Sequence, residues 1–226
     1  MENLNPIKLF LNRIYYYFFV ERFNKKLNID FPENIKRWDL IQNIIDKKRY
    51  DNYLEIGCDK DQSFSKIKVK NKIGVDPVSG GNIRSTSDQF FSSNTSKFDI
   101  IFIDGLHHYE QVIKDVNNSL QILNDNGFIL LHDCLPRSIA HQAIPRYRGS
   151  WNGDVWKALV ELRTRSDLDT YTCQIDFGVG IVQKKKNTEI LSIEKKNFKL
   201  LKFSDYYHNF DSFMRVIDFK KALELI

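Results

Sequence analysis

Four short runs constrain what this chain can fold into: YLEIG at residues 53–57, KIGVD at 72–76, FDIIFID at 98–104 and GFILLHD at 127–133. Each is too continuously apolar for a strand with one face in water. Such runs belong to strands covered on both faces, as in a mostly parallel sheet. Helical periodicity fills the intervals. QVIKDVNNSLQIL, residues 111–123, sets Val112, Val116, Leu120 and Leu123 on one stripe, and NDNG at 124–127 reads as its stop signal. ENIKRWDLIQNIIDKK, 33–48, and GDVWKALVELRTR, 153–165, are further helices, the latter capped by Asn152 or Asp154. TYTCQID and GVGIVQK, joined through Phe177-Gly178, read as an antiparallel pair. Residues 6–28 read as one helix that frays near Asn28, and 204–226 as a C-terminal helix. Alternation of this kind predicts an α/β fold, with helices on both faces of the sheet and a terminal antiparallel hairpin.

Ligands of open parallel sheets bind beyond the carboxyl ends of the strands. The four runs end at Glu55-Ile56-Gly57, Asp76, Asp104-Gly105 and His132-Asp133. One acid at a strand end is a turn signal, but four at one edge point to a site. Gly57 permits close backbone approach, and Asp76 is placed to accept hydrogen bonds from a ribose diol. The first loop, GCDKDQS, holds one glycine. It lacks both the GxGxxG turn that cradles a dinucleotide pyrophosphate and the P-loop, which excludes NAD, FAD and P-loop nucleotides.

At 226 residues the chain has the length of one domain with additions. A net charge of +5, spread along the sequence, argues against nucleic acid. Cys58, Cys134 and Cys173 form no CxxC pair, which fits a reducing, cytoplasmic setting. No run is long enough to span a bilayer. RIYYYFFVERF at 13–23 is aromatic and flanked by Lys8, Arg13, Arg22, Lys25 and Lys26. Residues 8–26 read first as a helix docked on the domain or on a partner subunit of a homo-oligomer. The alternative is weak contact with a membrane surface.

The motifs YLEIGCDKDQSF, KIGVDP, FDIIFIDGLHHYEQVIKDVNNSLQILNDNGFILLHDCLP and WNGDVWKALVELR together resemble the class I S-adenosylmethionine-dependent methyltransferases, and most of all bacterial enzymes acting on small molecules and glycans. The resemblance covers residues 33–184. It implies a Rossmann-like, seven-stranded sheet and a division into an N-terminal helical extension (1–30), a cofactor domain (31–186) and a C-terminal helical extension (187–226). It also implies S-adenosylmethionine as cofactor, with Glu55, Gly57 and Asp104 near its methionine end, Asp76 on the ribose and Asp88 near the adenine. The alternative for Asp88 is a helix cap. The family has a further glycine in the first loop, where this chain has Asp59 and Asp61. Asp61 reads as the cap of a helix from Gln62, and its carboxylate is expected to narrow the cofactor's space.

A sugar hydroxyl is a weak nucleophile near neutral pH and needs a base, often with a metal. Asp104-x-x-His107 offers an acid and an imidazole from one loop, and Asp133 adds a second acid. Asp104 and Asp133 are thus candidate Mg²⁺ ligands. The metal-dependent sugar O-methyltransferases that this arrangement resembles have their base at the position of His107. They place a second oxygen ligand where this chain has Cys134. His108 reads as a solvated residue and His132 as a buried hydrogen-bonding one. The loop 136–154 carries Arg137, His141, Arg146, Arg148 and Trp151, which suit an anionic or glycosidic small-molecule acceptor, or a plain solvated surface. Two other readings stay open: a methyltransferase acting on a protein, and an inactive cofactor-fold module that binds a partner. Asp61 and Cys134 speak for the second.

Overall fold

The computed structural model describes residues 5–195 and 197–226. It opens with α1 (Pro6–Phe19) and α2 (Arg37–Lys48). Then come β1 (Asn52–Ile56), β2 (Asn71–Asp76), β3 (Ile83–Arg84), α3 (Ser87–Ser93), β4 (Phe98–Ile103), α4 (Tyr109–Ile122) and β5 (Leu123–Leu131). After α5 (Ile139–Gln142) and α6 (Val155–Arg163), β6 (Leu168–Cys173) and β7 (Val179–Lys184) form the hairpin. The rest is α7 (Phe203–His208), α8 (Phe210–Met214), β8 (Val216–Ile217) and α9 (Phe219–Leu225).

One sheet runs β3-β2-β1-β4-β5-β7-β6-β8. All neighbours are parallel except β7, which is antiparallel to both β5 and β6. The α/β architecture and the hairpin are as expected. Among the described residues the strands number eight rather than seven, because Val216 and Ile217 pair with Thr172 and Cys173 at the far side of the hairpin.

The period of two along each strand explains the continuous apolar runs. Leu54, Ile56, Ile101, Ile103, Ile129 and Leu131 pack with α4 and α6 on one face, through Val112, Val116, Trp156 and Leu159. Tyr53, Ile100, Phe102, Phe128 and Leu130 pack on the other with Leu40, Ile41 and Ile44 of α2 and Ala222 of α9.

Several helical expectations give way to tertiary contacts. The helix expected over 6–28 ends at Phe19. Beyond it, Glu21 accepts from the N–H groups of Phe203 and Ser204 at 2.8 Å each and so caps α7 from outside, while Lys26 bridges to Ser138. Helix α2 begins at Arg37 rather than at residue 33. NDNG is not a helix stop but part of β5, with Asn126 in the left-handed region at φ 61°. No helix follows Asp61, where the chain takes turns instead. The expected C-terminal helix is divided by Arg215, at φ 44°, and by the β-branched pair of β8.

Arg215 also anchors the hairpin. It donates to Asp169 Oδ1 at 2.7 Å and lies 4.3 Å over the Tyr171 ring. Asp169 is fully buried, with Lys185 its other cation at 3.4 Å. Arg215→Ala strands that carboxylate with one cation and is expected to cost about 3 kcal/mol, read as a lower urea midpoint.

Candidate active site

The parallel register brings Gly57, Asp76, Asp104 and Asp133 to one edge of the sheet. Gly57 stands at φ 87°, and a Cβ there would lie 2.3 Å from the Asp104 carbonyl oxygen. The close approach it permits is between the first loop and the loop after β4. The Asp104 N–H donates to Ile56 O at 2.8 Å and the His132 N–H to Ile103 O at 3.1 Å, which extends the sheet pairing into the site.

A compact charge cluster follows. Asp104 Oδ1 lies 3.2 Å from His107 Nε2 and 3.1 Å from His132 Nδ1, and its Oδ2 lies 3.6 Å from Arg37 Nε. His107 Nδ1 is 3.2 Å from Asp133 Oδ2 but makes no hydrogen bond. Asn152 donates to Asp133 Oδ1 at 2.8 Å. His132 Nε2 donates to the Asp176 carbonyl at 2.8 Å, while Arg37 spans from Asp104 to the Asp176 carboxylate at 2.8 Å. With an acceptor facing each ring nitrogen, His132 is set up as an imidazolium.

The electrostatics agree. Burial disfavours charge on His132, but Asp104 and Asp133 outweigh it, and its pKa is pushed up to about 9. Burial opposes the His107 imidazolium too, yet Asp104 and Asp133 hold its pKa above the ordinary value. Asp104 is held well below the usual carboxylate range, because His132 and His107 overcome its burial. For Asp133 burial wins and the pKa is raised.

The segment Trp151-Asn152-Gly153-Asp154 clasps His107. Trp151 stacks on the imidazole at 5.5 Å and 19°. A Cβ on Gly153 would fall 1.9 Å from the His107 carbonyl oxygen, so only glycine fits. Asp154 donates its N–H to that oxygen at 3.1 Å, and its carboxylate accepts from Tyr109 N at 2.7 Å, capping α4 rather than its own helix α6.

The remaining candidates spread around this edge. Glu55 is buried beside the Tyr53 hydroxyl; desolvation pushes its pKa up to about 8 against that hydrogen bond. Asp76 accepts from the N–H groups of Asp59, Val78 and Ser79 at 3.0, 2.8 and 2.9 Å. Asp61 does not cap a helix; its Oδ1 accepts from Gly81 N at 2.7 Å. Nor does Asp88 cap one, since Thr86 caps α3 while Asp88 binds Lys114 at 2.6 Å and Gln111 at 3.1 Å. In the loop after β5, Arg137 stacks on Phe31 at 4.7 Å and Arg146 lies 5.3 Å over Trp151. Arg37, Asn152 and Asp176 were not signalled by the sequence, and His132 was signalled only as a buried polar group.

Asp104, His107 and Asp133 each offer one ligand atom, all within 4.8 Å of one another. Two carboxylate oxygens and an imidazole suit a divalent cation that takes its other ligands from substrate and water. The unpaired, buried His107 Nδ1 is open to such an ion or to a proton from substrate. Cys134 turns its thiol toward the Leu131 carbonyl at 3.4 Å and adds no ligand.

A family model described as a methyltransferase domain matches residues 41–134. Those residues are a methyltransferase domain. An uncharacterised protein of Acanthamoeba polyphaga mimivirus is 28% identical over a 123-residue match that covers 41% of this chain and 56% of the viral protein, just over half its length. An O-methyltransferase from Bacillus cereus, solved in complex with SAH, superposes with a TM-score of 0.51 at 10% identity, covering 80% of this chain and 90% of its own. A candidate O-methyltransferase from Klebsiella pneumoniae gives 0.52 at 11%, covering 80% and 89%. At such identities the likeness is one of fold: the methyltransferase domain has the Rossmann-like class I fold, with the charge cluster at its carboxyl edge.

The His132 pKa lies above its unfolded value. Its contribution to stability is therefore full below pH 6.5 and is lost as pH rises through about 9. Unfolding by urea across that window should show the wild type losing up to about 3 kcal/mol relative to His132→Asn, which carries no charge to lose.

Proposed function

We propose that the chain is an S-adenosylmethionine-dependent O-methyltransferase whose acceptor is a hydroxyl of a sugar, glycan or other small molecule. The observation that carries this reading is His107, held between Asp104 and Asp133 at the carboxyl edge of a methyltransferase domain. S-adenosylmethionine, when bound, would supply an electrophilic methyl group on a sulfonium that departs as a thioether, and His107 would take the proton of the acceptor hydroxyl. Trp151 and Asp104 fix the plane of the imidazole, and Asp133 stabilises the imidazolium that forms. A divalent cation held by Asp104 and Asp133 would supply Lewis-acid polarisation of the acceptor oxygen and leave His107 as the base.

For the cofactor, Glu55, Gly57 and Asp104 border the methionine end and Asp76 is the ribose acceptor. Asp76 keeps room for it, since two carboxylate oxygens have about four lone-pair sites and backbone donors occupy three of them. Asp88 is the weakest of the set, because Lys114 and Gln111 engage both its oxygens.

Calorimetry should show binding of S-adenosylmethionine and S-adenosylhomocysteine, weakened by about 1–3 kcal/mol in Asp76→Ala. No binding of either would favour the partner-binding module. His107→Ala should lower turnover by roughly 10²–10⁴-fold with cofactor affinity retained. Because the His107 pKa is raised, the rate should climb with pH to values above the ordinary imidazole range. Loss of turnover on chelation, restored by Mg²⁺, tests the cation.

A further inference from the structure

Helix α1 is attached to the molecule by a narrow strip. Tyr16 is its buried residue, and the Tyr16 hydroxyl accepts from Gln142 at 3.0 Å. Asn12 donates to the Arg146 carbonyl at 2.8 Å. The rest of the helix stands in the open: Phe19 is 76% exposed, Ile7 69%, Phe10 62% and Phe18 58%, with Leu11, Ile14, Tyr15 and Tyr17 also exposed. At 100° per residue these side chains cover roughly 200° of the circumference. That is far more apolar surface than an isolated exposed leucine, and it is contiguous.

Cations border this face. Residues 5–20 contain Lys8 and Arg13 and no acid. By helical spacing the two cations fall near opposite margins of the apolar arc. Arg22 follows, its guanidinium 5.1 and 5.3 Å over the Tyr17 and Phe18 rings, and then Lys25 and Lys26. Glu21, which follows the helix, is committed to the N-terminus of α7. A second copy of the chain laid on this face would bring cation to cation with no acid within the helix to compensate. An anionic surface matches it.

We propose that α1 lies in the plane of a bilayer containing anionic phospholipids, with its phenyl and tyrosyl side chains among the upper acyl chains and Arg13 and Arg22 at the phosphates. Aromatic rings with a polar tip suit that boundary, and the cations can extend past the apolar arc to reach it. With 14 residues the helix is about 21 Å long, shorter than the roughly 30 Å hydrocarbon core, so it lies on the membrane instead of crossing it. Among the described residues no helix is long and apolar enough to cross. The contact is independent of the chemistry proposed above. It does set the loop that holds Gln142, Arg146 and Trp151, and with it the mouth beside His107, close to the lipid surface.

Flotation of the full chain with phosphatidylcholine–phosphatidylglycerol vesicles tests this. The wild type should float with the mixed vesicles, lose that association in high salt, and float poorly with phosphatidylcholine alone. Phe10→Ser with Phe18→Ser should lower partitioning by at least about tenfold, and Arg13→Glu with Arg22→Glu by more than about tenfold, since one cation contributes about fivefold. All four positions are exposed, and circular dichroism will show that the variants stay folded. Absence of binding to the mixed vesicles, or binding unaltered in folded variants, overturns the proposal. So does sedimentation showing a wild-type dimer that Phe10→Ser with Phe18→Ser converts to monomer, because the face would then belong to a second copy.

Discussion

The structure turns on a set of charges largely withdrawn from water. Asp104, His107, His132 and Asp133 sit at the ends of β4 and β5, where each alone would be costly to bury. Together they are tolerable, since every carboxylate faces a cation or an amide. Arg37, brought from the start of α2, and the Asp176 turn of the hairpin close the set. The demand for dense pairing explains the backbone around it. Asp133 takes φ 61° to aim its carboxylate back at His107, and glycine at 57 and 153 lets neighbouring loops come within contact of the Asp104 and His107 carbonyls.

The first loop solves a related problem with few glycines. Asp59 and Asp61 adopt φ 44° and 57°, conformations that aspartate tolerates better than most residues. Each then earns a structural partner: the Asp59 N–H goes to Asp76, and the Asp61 carboxylate to Gly81. The Asp61 carboxylate thereby braces the loop after β1 against the loop after β2.

The parallel strands were legible because burial on both faces writes a continuous apolar run, and each run ends where its carboxylate is needed. Asp104, His107 and Asp133 could therefore be brought to one edge from sequence. Arg37, Asn152 and Asp176 could not, because each reaches the cluster from a segment whose own pattern concerns something else: a helix start, a loop and a hairpin turn. Trp151 was legible only as an aromatic in a loop, with no sign that it would stack on His107. The terminal segments were misread for a different reason. Residues 20–28 and 215–218 have helical neighbours on either side, but Glu21 is drawn to the start of α7 and Val216-Ile217 to the edge of β6. Contacts distant in sequence outweigh local preference there.

The placement of β8 and α9 has a consequence for biogenesis. Ala222 and Ile226 pack in the same apolar layer as Leu40, Ile41 and Ile44 of α2, and Val216-Ile217 cover the outer edge of β6. On a translating ribosome, that layer emerges nearly two hundred residues before its cover. In the interval the nascent domain exposes an oily helix surface and an open strand edge, both features that chaperones grasp and that seed aggregation when left unattended.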